Sequence, residues 1–543
     1  MQKFTKDCLL PNRLRSANIT VFDNFNYSDA MATCIDLMNR FISAGHDRAR
    51  QLSMIRNFSL APLITIHAAQ ATGKETIDVI NAVEKGRGIF WDRLINRKSQ
   101  VMALAEKHEE LASRYCDIRK RMGQIGQPDF FFEDQPQDKF LLKSEMNDLV
   151  IKIRQQNGFE DFLLPPIDPS KIQTYASQGP VVMLIAGLGP NNGYALVIST
   201  DSVFSLNLVG YSQEACKGKF DLLRLGLDQA SDFRAPTADS LHQVLTWLWY
   251  VAAEPVLNKL GLVGSQSPSD VTPRLWWITC NWVNRLPLHA AGDHLKRLKT
   301  NEPCTVMDRV ISSYSPTLKS LMYSRTRMEE LGKQSSTTTQ PQIALLAAME
   351  ETIDRPKLDN AFQEVERVKA ILEPQFQVSS FTNPPPTREV VIKGLRKCTI
   401  AHLACHGEAD PSDPLRSKIL LQDWGPKPLR VGFIMRMDME NCQLAYLSAC
   451  ETAVSKDEQL AEEGLHISGA FQMAGVPNTV ATWWEINDQE AVPVVEGFYG
   501  GLKGEDGRID VGRAAGALRG ALLEMRDMGV SPFVWGSYVH SGA

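Results

Sequence analysis

Two apolar stretches end in residue types that can do nucleophilic chemistry together: "IAHLACHGEAD" carries His406 and "LAYLSACETAVS" carries Cys450. A thiol at its ordinary pKa is mostly protonated near neutrality, so a cysteine nucleophile needs a neighbouring base or a positive field. A histidine within hydrogen-bond reach supplies the base, first taking the thiol proton and then handing it to a leaving amine. Gly407 lets its backbone N–H come close to a substrate oxygen, and with the N–H of Cys450 it can form an oxyanion hole. By spacing alone, a plainer reading stands beside this one, in which both are packing residues at strand ends. Cys405 points to the opposite face of its strand and is expected to be buried, and His402, in mid-strand, to be structural. Cys280 and His289 are a rival pair, set aside because the cysteine precedes the histidine in one local unit with no second parallel strand to present it.

For that chemistry, two strands have to present the groups side by side, and the sequence beyond Gln342 supplies them. Strand 343–349, "IALLAAM", leads to a helix in which Phe362, Val365, Val368 and Leu372 share a face, with Asn360 as cap and Pro374 as stop. Strand 376–381, helix 387–397, strands 399–404 and 443–448, helix 462–474 and strand 479–484 follow. Alternating strands and helices with near-continuous apolar strands predict a parallel sheet covered on both faces. His406 and Cys450 then sit at the C-terminal ends of two strands, where open α/β sheets build their sites.

Upstream, residues 28 to about 122 carry helical periodicity: Met31, Cys34, Leu37, Met38 and Phe41 form one stripe, between Ser28 and Asp29 as caps and Gly45 as stop. Such paired helices cannot bury their apolar faces alone, so stacking is expected. Residues 123–176 are rich in Gly, Pro, Gln and Asp and read as a linker with one helix. Then "GPVVMLIAG", "GYALVIST" and "SVFSLNLV" read as strands, followed by helices around 220–262 and a strand in "RLWWITC". The polar stretch "LGKQSSTTTQPQ" marks a boundary.

The chain has 543 residues, 43% apolar and 22% charged, with a net charge of -5 and no basic run, so no nucleic-acid partner is expected. Its longest apolar stretch, Leu245 to Ala253, runs into Glu254 and Pro255, far short of the ~20 residues that span a bilayer. With no signal-type N-terminus, a cytoplasmic protein without a membrane partner is expected. The ten cysteines are scattered with no C-x-x-C pair, which suits a reducing compartment and predicts no metal site; no cofactor is expected.

"HLACHGEAD", "LAYLSACETA", "EEGLHISGAFQMAGVPNTVATWWEINDQEA" and "SPFVWGSYVHSGA" resemble the successive motifs of CHAT domains, caspase-like domains associated with tetratricopeptide repeats. "LWWITCNWVNRLPLHAAG" and "VMDRVISSYSPTLKSL" are similar to the preceding half of CHAT proteins of the fungal type, a caspase-like unit without catalysis. The family's Gly-containing "PTGPL"-type turn is "TCNWV" here, and Pro493 falls in a helix-like stretch.

The resemblance implies a helical, tetratricopeptide-like region over 1–122, the linker over 123–176, a non-catalytic caspase-like unit over 177–333 and a catalytic one over 342–543. Its fold class is a parallel-dominated α/β sheet between helices. It implies a cysteine endopeptidase cleaving a protein substrate, with His406 and Cys450 as the dyad. The helical region would then meet a regulatory protein partner. The competing class is a silent scaffold for protein–protein interaction. Separases, relatives in the clan, carry an acid after a Trp-containing strand to receive a basic P1 side chain, and "WWEINDQE" puts Asp488 there, with Trp483 or Trp484 as wall and Glu451 and Glu485 nearby. Asp488 as a helix N-cap, beside a neutral pocket for Met or Leu, is the alternative.

Overall fold

The run "VVMLI" at 181–185 is apolar at every position because the strand it forms is buried along its whole length. The computed structural model describes the chain except residues 1–51, 54, 57–60, 72, 89–100, 102–103, 125–135, 160–161, 163–168, 189–191, 231–237, 265–270, 338–340, 450–451, 454–456, 458–459, 461–462 and 487. The stripe expected from Met31 to Phe41 and its caps therefore lie outside the described residues.

The strands are β1 (Val181–Ile185), β2 (Gly193–Ile198), β3 (Val203–Leu208), β4 (Arg274–Thr279), β5 (Ile311–Tyr314), β6 (Ile343–Ala348) and β7 (Gln377–Phe381). They continue with β8 (Ile400–Ala404), β9 (Gly407–Glu408), β10 (Lys418–Ile419), β11 (Leu429–Arg430), β12 (Leu444–Ser448), β13 (Asn478–Thr482) and β14 (Tyr538–Gly542). Eleven of them make one sheet in the order β3-β2-β1-β4-β5-β14-β13-β12-β8-β6-β7, and β11-β10-β9 make a small second one. In the large sheet the pairing is parallel except at β1–β2, β2–β3 and β13–β14.

Helices that bear on the site are α1 (Ala61–Ala71), α2 (Thr76–Gly86), α3 (Glu109–Gln124), α4 (Pro136–Arg154), α5 (Ala361–Leu372), α6 (Ile467–Met473), α7 (Asp488–Gly501) and α8 (Ala514–Asp527). Adjacent tryptophans show how both faces of the sheet are covered: Trp277 joins a core with Val365 and Val368 of α5 and Phe498 of α7, while Trp276 joins another with Ile66 of α1 and Val83 of α2. The helices α3 and α4 bury a third core of their own, including Tyr115, Leu149 and Ile153. The α2 end is tied to β4 and to the helix Leu318–Thr337 as well. Glu84 accepts the backbone N–H of Leu318 at 2.9 Å, and Arg87 donates to the carbonyl of Thr279 at 2.5 Å.

The helix expected over 462–474 begins only at Ile467, because His466 caps it: its Nδ1 accepts the N–H of Gly469 at 3.1 Å. Helix α7 runs through Pro493.

The last strand, β14, lies in the middle of the sheet, between β5 and β13. It holds the two halves together by side chains as well as by pairing. His540 is buried, with Nδ1 2.9 Å from the Ser313 hydroxyl and Nε2 3.2 Å from Asn478 Oδ1, and the Trp276 indole donates to the Gly542 carbonyl at 2.9 Å. Gly542 has φ +125°, and a Cβ there would meet the Pro477 carbonyl oxygen at 1.9 Å. Gly542→Ala should therefore lower stability by about 2 kcal/mol or more in urea unfolding. Gly218→Ala, at a helical glycine with open space around it, should leave stability equal or raise it.

Candidate active site

The parallel register of β8 against β12 sets Ala404 level with Ser448, and the Cys405 N–H continues the ladder by donating to the Ser448 carbonyl at 3.2 Å. Each candidate residue comes two positions after its member of the 404–448 pair. His406 is buried at that end of β8. Cys450 lies outside the described residues, which end on that strand at Ala449.

The imidazole of His406 is held by a group the sequence gives no sign of. Its Nε2 lies 2.8 Å from the backbone carbonyl of Pro356, in the loop after β6. A carbonyl only accepts, so Nε2 carries the proton, and in the neutral ring Nδ1 is left with its lone pair as a base. The same loop is fastened to the strand that follows the histidine. Arg355 pairs with Glu408, which also takes Lys418 at 2.8 Å. Leu358 N–H donates back to the Glu350 carbonyl at 2.9 Å and closes the loop.

Gly407 opens β9. The Leu420 N–H donates to the His406 carbonyl at 2.9 Å, and Gly407 faces Ile419 in the next position of the antiparallel ladder. Narrow and wide pairs alternate along such a ladder, so the Gly407 N–H is turned away from β10 and is not used by it.

The other residues singled out by sequence are placed as follows. Cys405 is buried. His402 is fully buried, stacked on Tyr446 at 5.0 Å, with Nδ1 3.2 Å from the Tyr499 hydroxyl. Of the rival pair, Cys280 is buried, and His289 sits 3.1 Å from the Tyr314 hydroxyl, its pKa pushed down to about 3 by burial. Asp488 is the first residue of α7, and its side chain lies outside the described residues, as does Glu451. Trp483 packs edge-on against Tyr314 and His289, at 5.4 and 5.5 Å, and the Trp484 indole donates to the Phe533 carbonyl at 2.7 Å.

Sequence reasoning also missed Arg56. It donates to Asp457, in the segment after Cys450, at 2.8 Å and to the carbonyl of Ser412, in the segment after His406. A lone arginine within the helical region has no spacing signal that links it to either. No group of three or more His, Cys, Asp or Glu residues among the described residues is arranged to hold a metal ion, and no described helix is long and apolar enough to cross a membrane.

A mostly parallel sheet flanked by helices, with a histidine presented at the end of an inner strand, defines a caspase-like α/β protein. More narrowly, residues 242–543 match the model of the CHAT domain, and the chain belongs to that family. No curated protein matches it. Among solved structures, it is similar to the separase–securin complex of Saccharomyces cerevisiae, at 10% identity and a TM-score of 0.46, covering 96% of this chain and 37% of that one. It is also similar to the Arg-specific cysteine proteinase gingipain R, at 10% identity and a TM-score of 0.34, covering 58% of this chain and 69% of that one. The complex of Porphyromonas gingivalis RgpB pro- and mature domains matches at 11% identity and a TM-score of 0.36, covering 54% and 69%. This chain thus spans little more than a third of the length of the separase chain.

Burial also keeps His294 and His466 neutral, each with its pKa lowered to about 4. For these two and His289 the unfolded chain binds protons that the folded one refuses. Their contribution is complete above pH ~6.5 and is lost as pH falls toward 4, by about 1 kcal/mol per unit for each histidine. Urea midpoints measured from pH 7 to 4.5 should fall accordingly. His466→Asn, which keeps an acceptor at the N-cap of α6, should make that fall shallower.

Proposed function

We propose that this chain is a cysteine endopeptidase in which Cys450 is the nucleophile and His406 the general base. The observation that carries the reading is the Pro356 carbonyl on His406 Nε2, which leaves Nδ1 as the base at the end of the strand paired with β12. In this reading the thiol gives its proton to Nδ1, and the thiolate sulfur bonds to the scissile carbonyl carbon. The N–H groups of Gly407 and Cys450 take the oxyanion. As the tetrahedral species collapses, the C–N bond breaks and the imidazolium returns the proton to the leaving amine. Water, deprotonated by the same nitrogen, then splits the thioester and restores the thiol.

The division of labour expected from sequence belongs to this proposal: a catalytic unit over 342–543, a non-catalytic one over 177–333, and a tetratricopeptide-like arm through which a regulatory protein acts in the cytoplasm. The contacts of Arg56 support the regulatory part, since one side chain from the N-terminal region meets the segments after both dyad residues. Asp488, at the start of α7, remains the candidate of the sequence for receiving a basic P1 side chain.

Of the described cysteines, only Cys116 is exposed, and Cys8 and Cys34 lie outside the described residues, so the site of labelling by a peptidyl acyloxymethyl ketone is located by peptide mapping. The ketone should label Cys450 in wild type and in Cys116→Ser, and leave Cys450→Ala unlabelled. His406→Ala should slow labelling by about 100-fold or more. Labelling that persists in Cys450→Ala rules the mechanism out. Arg56→Ala and Asp457→Asn should each slow the reaction, and the double variant should be no slower than either, a coupling of about 0.5–3 kcal/mol. Unchanged rates in both single variants end the regulatory reading.

A further inference from the structure

Away from the dyad, a cavity lies where distant parts of the chain meet. Arg87 lines it from the end of α2, Arg285 from the turn after β4 and Gln472 from α6, and its wall also includes Ser541 of β14 and Ala453, three residues after Cys450. None of its described lining residues belongs to β8, to β12 or to the loop that carries Pro356, and α2 covers the sheet face opposite to α5 and α7. Its volume is about 70 Å3, room for a few water molecules or for one group the size of phosphate or carboxylate.

Among the described lining residues the charged side chains are both arginines. Arg87 is 2% exposed and donates to the Thr279 carbonyl, and Arg285, 8% exposed, lies over the rings of Phe220 and Trp282 at 5.3 and 5.7 Å. His466, also in the wall, is kept neutral by burial. Glu84, one turn before Arg87 on α2, is not part of the wall and spends Oε1 on the Leu318 N–H. Two guanidiniums that line one small, poorly solvated space repel each other, and an oxyanion between them replaces that repulsion with charge-assisted hydrogen bonds.

Neutral donors border the same space. Gln472 is 2% exposed, yet its amide makes no hydrogen bond within the described residues, and an amide buried in that state is costly until a partner reaches it. Asn284, in the same wall, has Oδ1 occupied by the Thr279 hydroxyl at 2.5 Å, so what it offers is its N–H2 end.

We propose that this cavity is a binding site for one small oxyanion, a phosphate- or carboxylate-sized group, held by Arg87, Arg285 and Gln472. A bound anion would join the end of α2, the turn after β4 and the segment that follows Cys450, which are far apart in sequence. The site stands whether or not the chain is a peptidase, because none of the groups that hold the anion belongs to the dyad.

Isothermal titration calorimetry on the full chain, with sodium phosphate and separately sodium acetate at an ionic strength held constant with chloride, measures the site. The expected result is an anion that binds with a Kd of about 1 mM or tighter and at least ~10-fold more weakly in Arg285→Gln. Phosphate that acetate does not displace assigns a tetrahedral dianion, and acetate that displaces it, or binds alone, assigns a carboxylate. Gln472→Glu, which adds a carboxylate to the wall, should abolish binding, and it takes the place of Arg285→Gln where that variant fails to fold. Thermal unfolding midpoints should rise with the anion in wild type and not in the variants, since a ligand of the folded state stabilises it by mass action. A rise shared equally by wild type and variants is the general salting-out effect of the anion and overturns the site. So does calorimetry in which neither anion binds wild type, or in which binding survives undiminished in either variant.

Discussion

The parallel pairing of β8 with β12 is the constraint on which the rest of the site depends. It fixes Ala404 against Ser448, so the segments that leave the sheet start level with one another. A slip of one residue would turn every side chain of a strand to the other face, and both strands are buried on both sides, which makes such a slip very costly. The neighbours on either flank are parallel too: β6 lies beside β8, and β13 beside β12. All four strands therefore end at one edge, and the loop after β6, the start of α7 after β13 and the two candidate segments are brought to the same place.

Orientation of His406 by a carbonyl, rather than by a carboxylate, has its own physical meaning. A backbone carbonyl fixes the tautomer and the ring plane, but it brings no full negative charge to stabilise an imidazolium, and it does not titrate. The position of that carbonyl is set by a loop whose grip on the neighbouring strand is ionic, through Arg355 and Glu408, and whose base is closed by a backbone hydrogen bond from Leu358 to Glu350. The histidine is thus aimed by backbone, and the backbone is aimed by surface charge.

Much of the sheet was legible in the sequence because strands buried on two faces are written as unbroken apolar runs. "IAHLA", "LAYLS" and "NTVAT" form strands within a residue or two of where those runs suggest. His406 was legible for a related reason: a polar residue directly after such a run has to sit at a sheet edge. Pro356 was not, since the functional atom is a main-chain oxygen that every residue type carries. The start of α6 was misjudged because histidine is not among the usual capping residues.

The place of β14 gives the sheet a particular order of assembly in time. Tyr538–Gly542 pairs between β13 and β5, the second of which pairs through residues 227 positions apart in sequence, and the buried His540 spans the two halves through Ser313 and Asn478. On the ribosome, chain up to residue 537 can form two partial sheets but not the pairing that unites them. The helices that cover both halves are made before the strand they have to close over. A nascent chain must therefore keep a slot open in the centre of its sheet, with two strand edges exposed, until residues 538–542 have left the exit tunnel, a state that invites capture by chaperones.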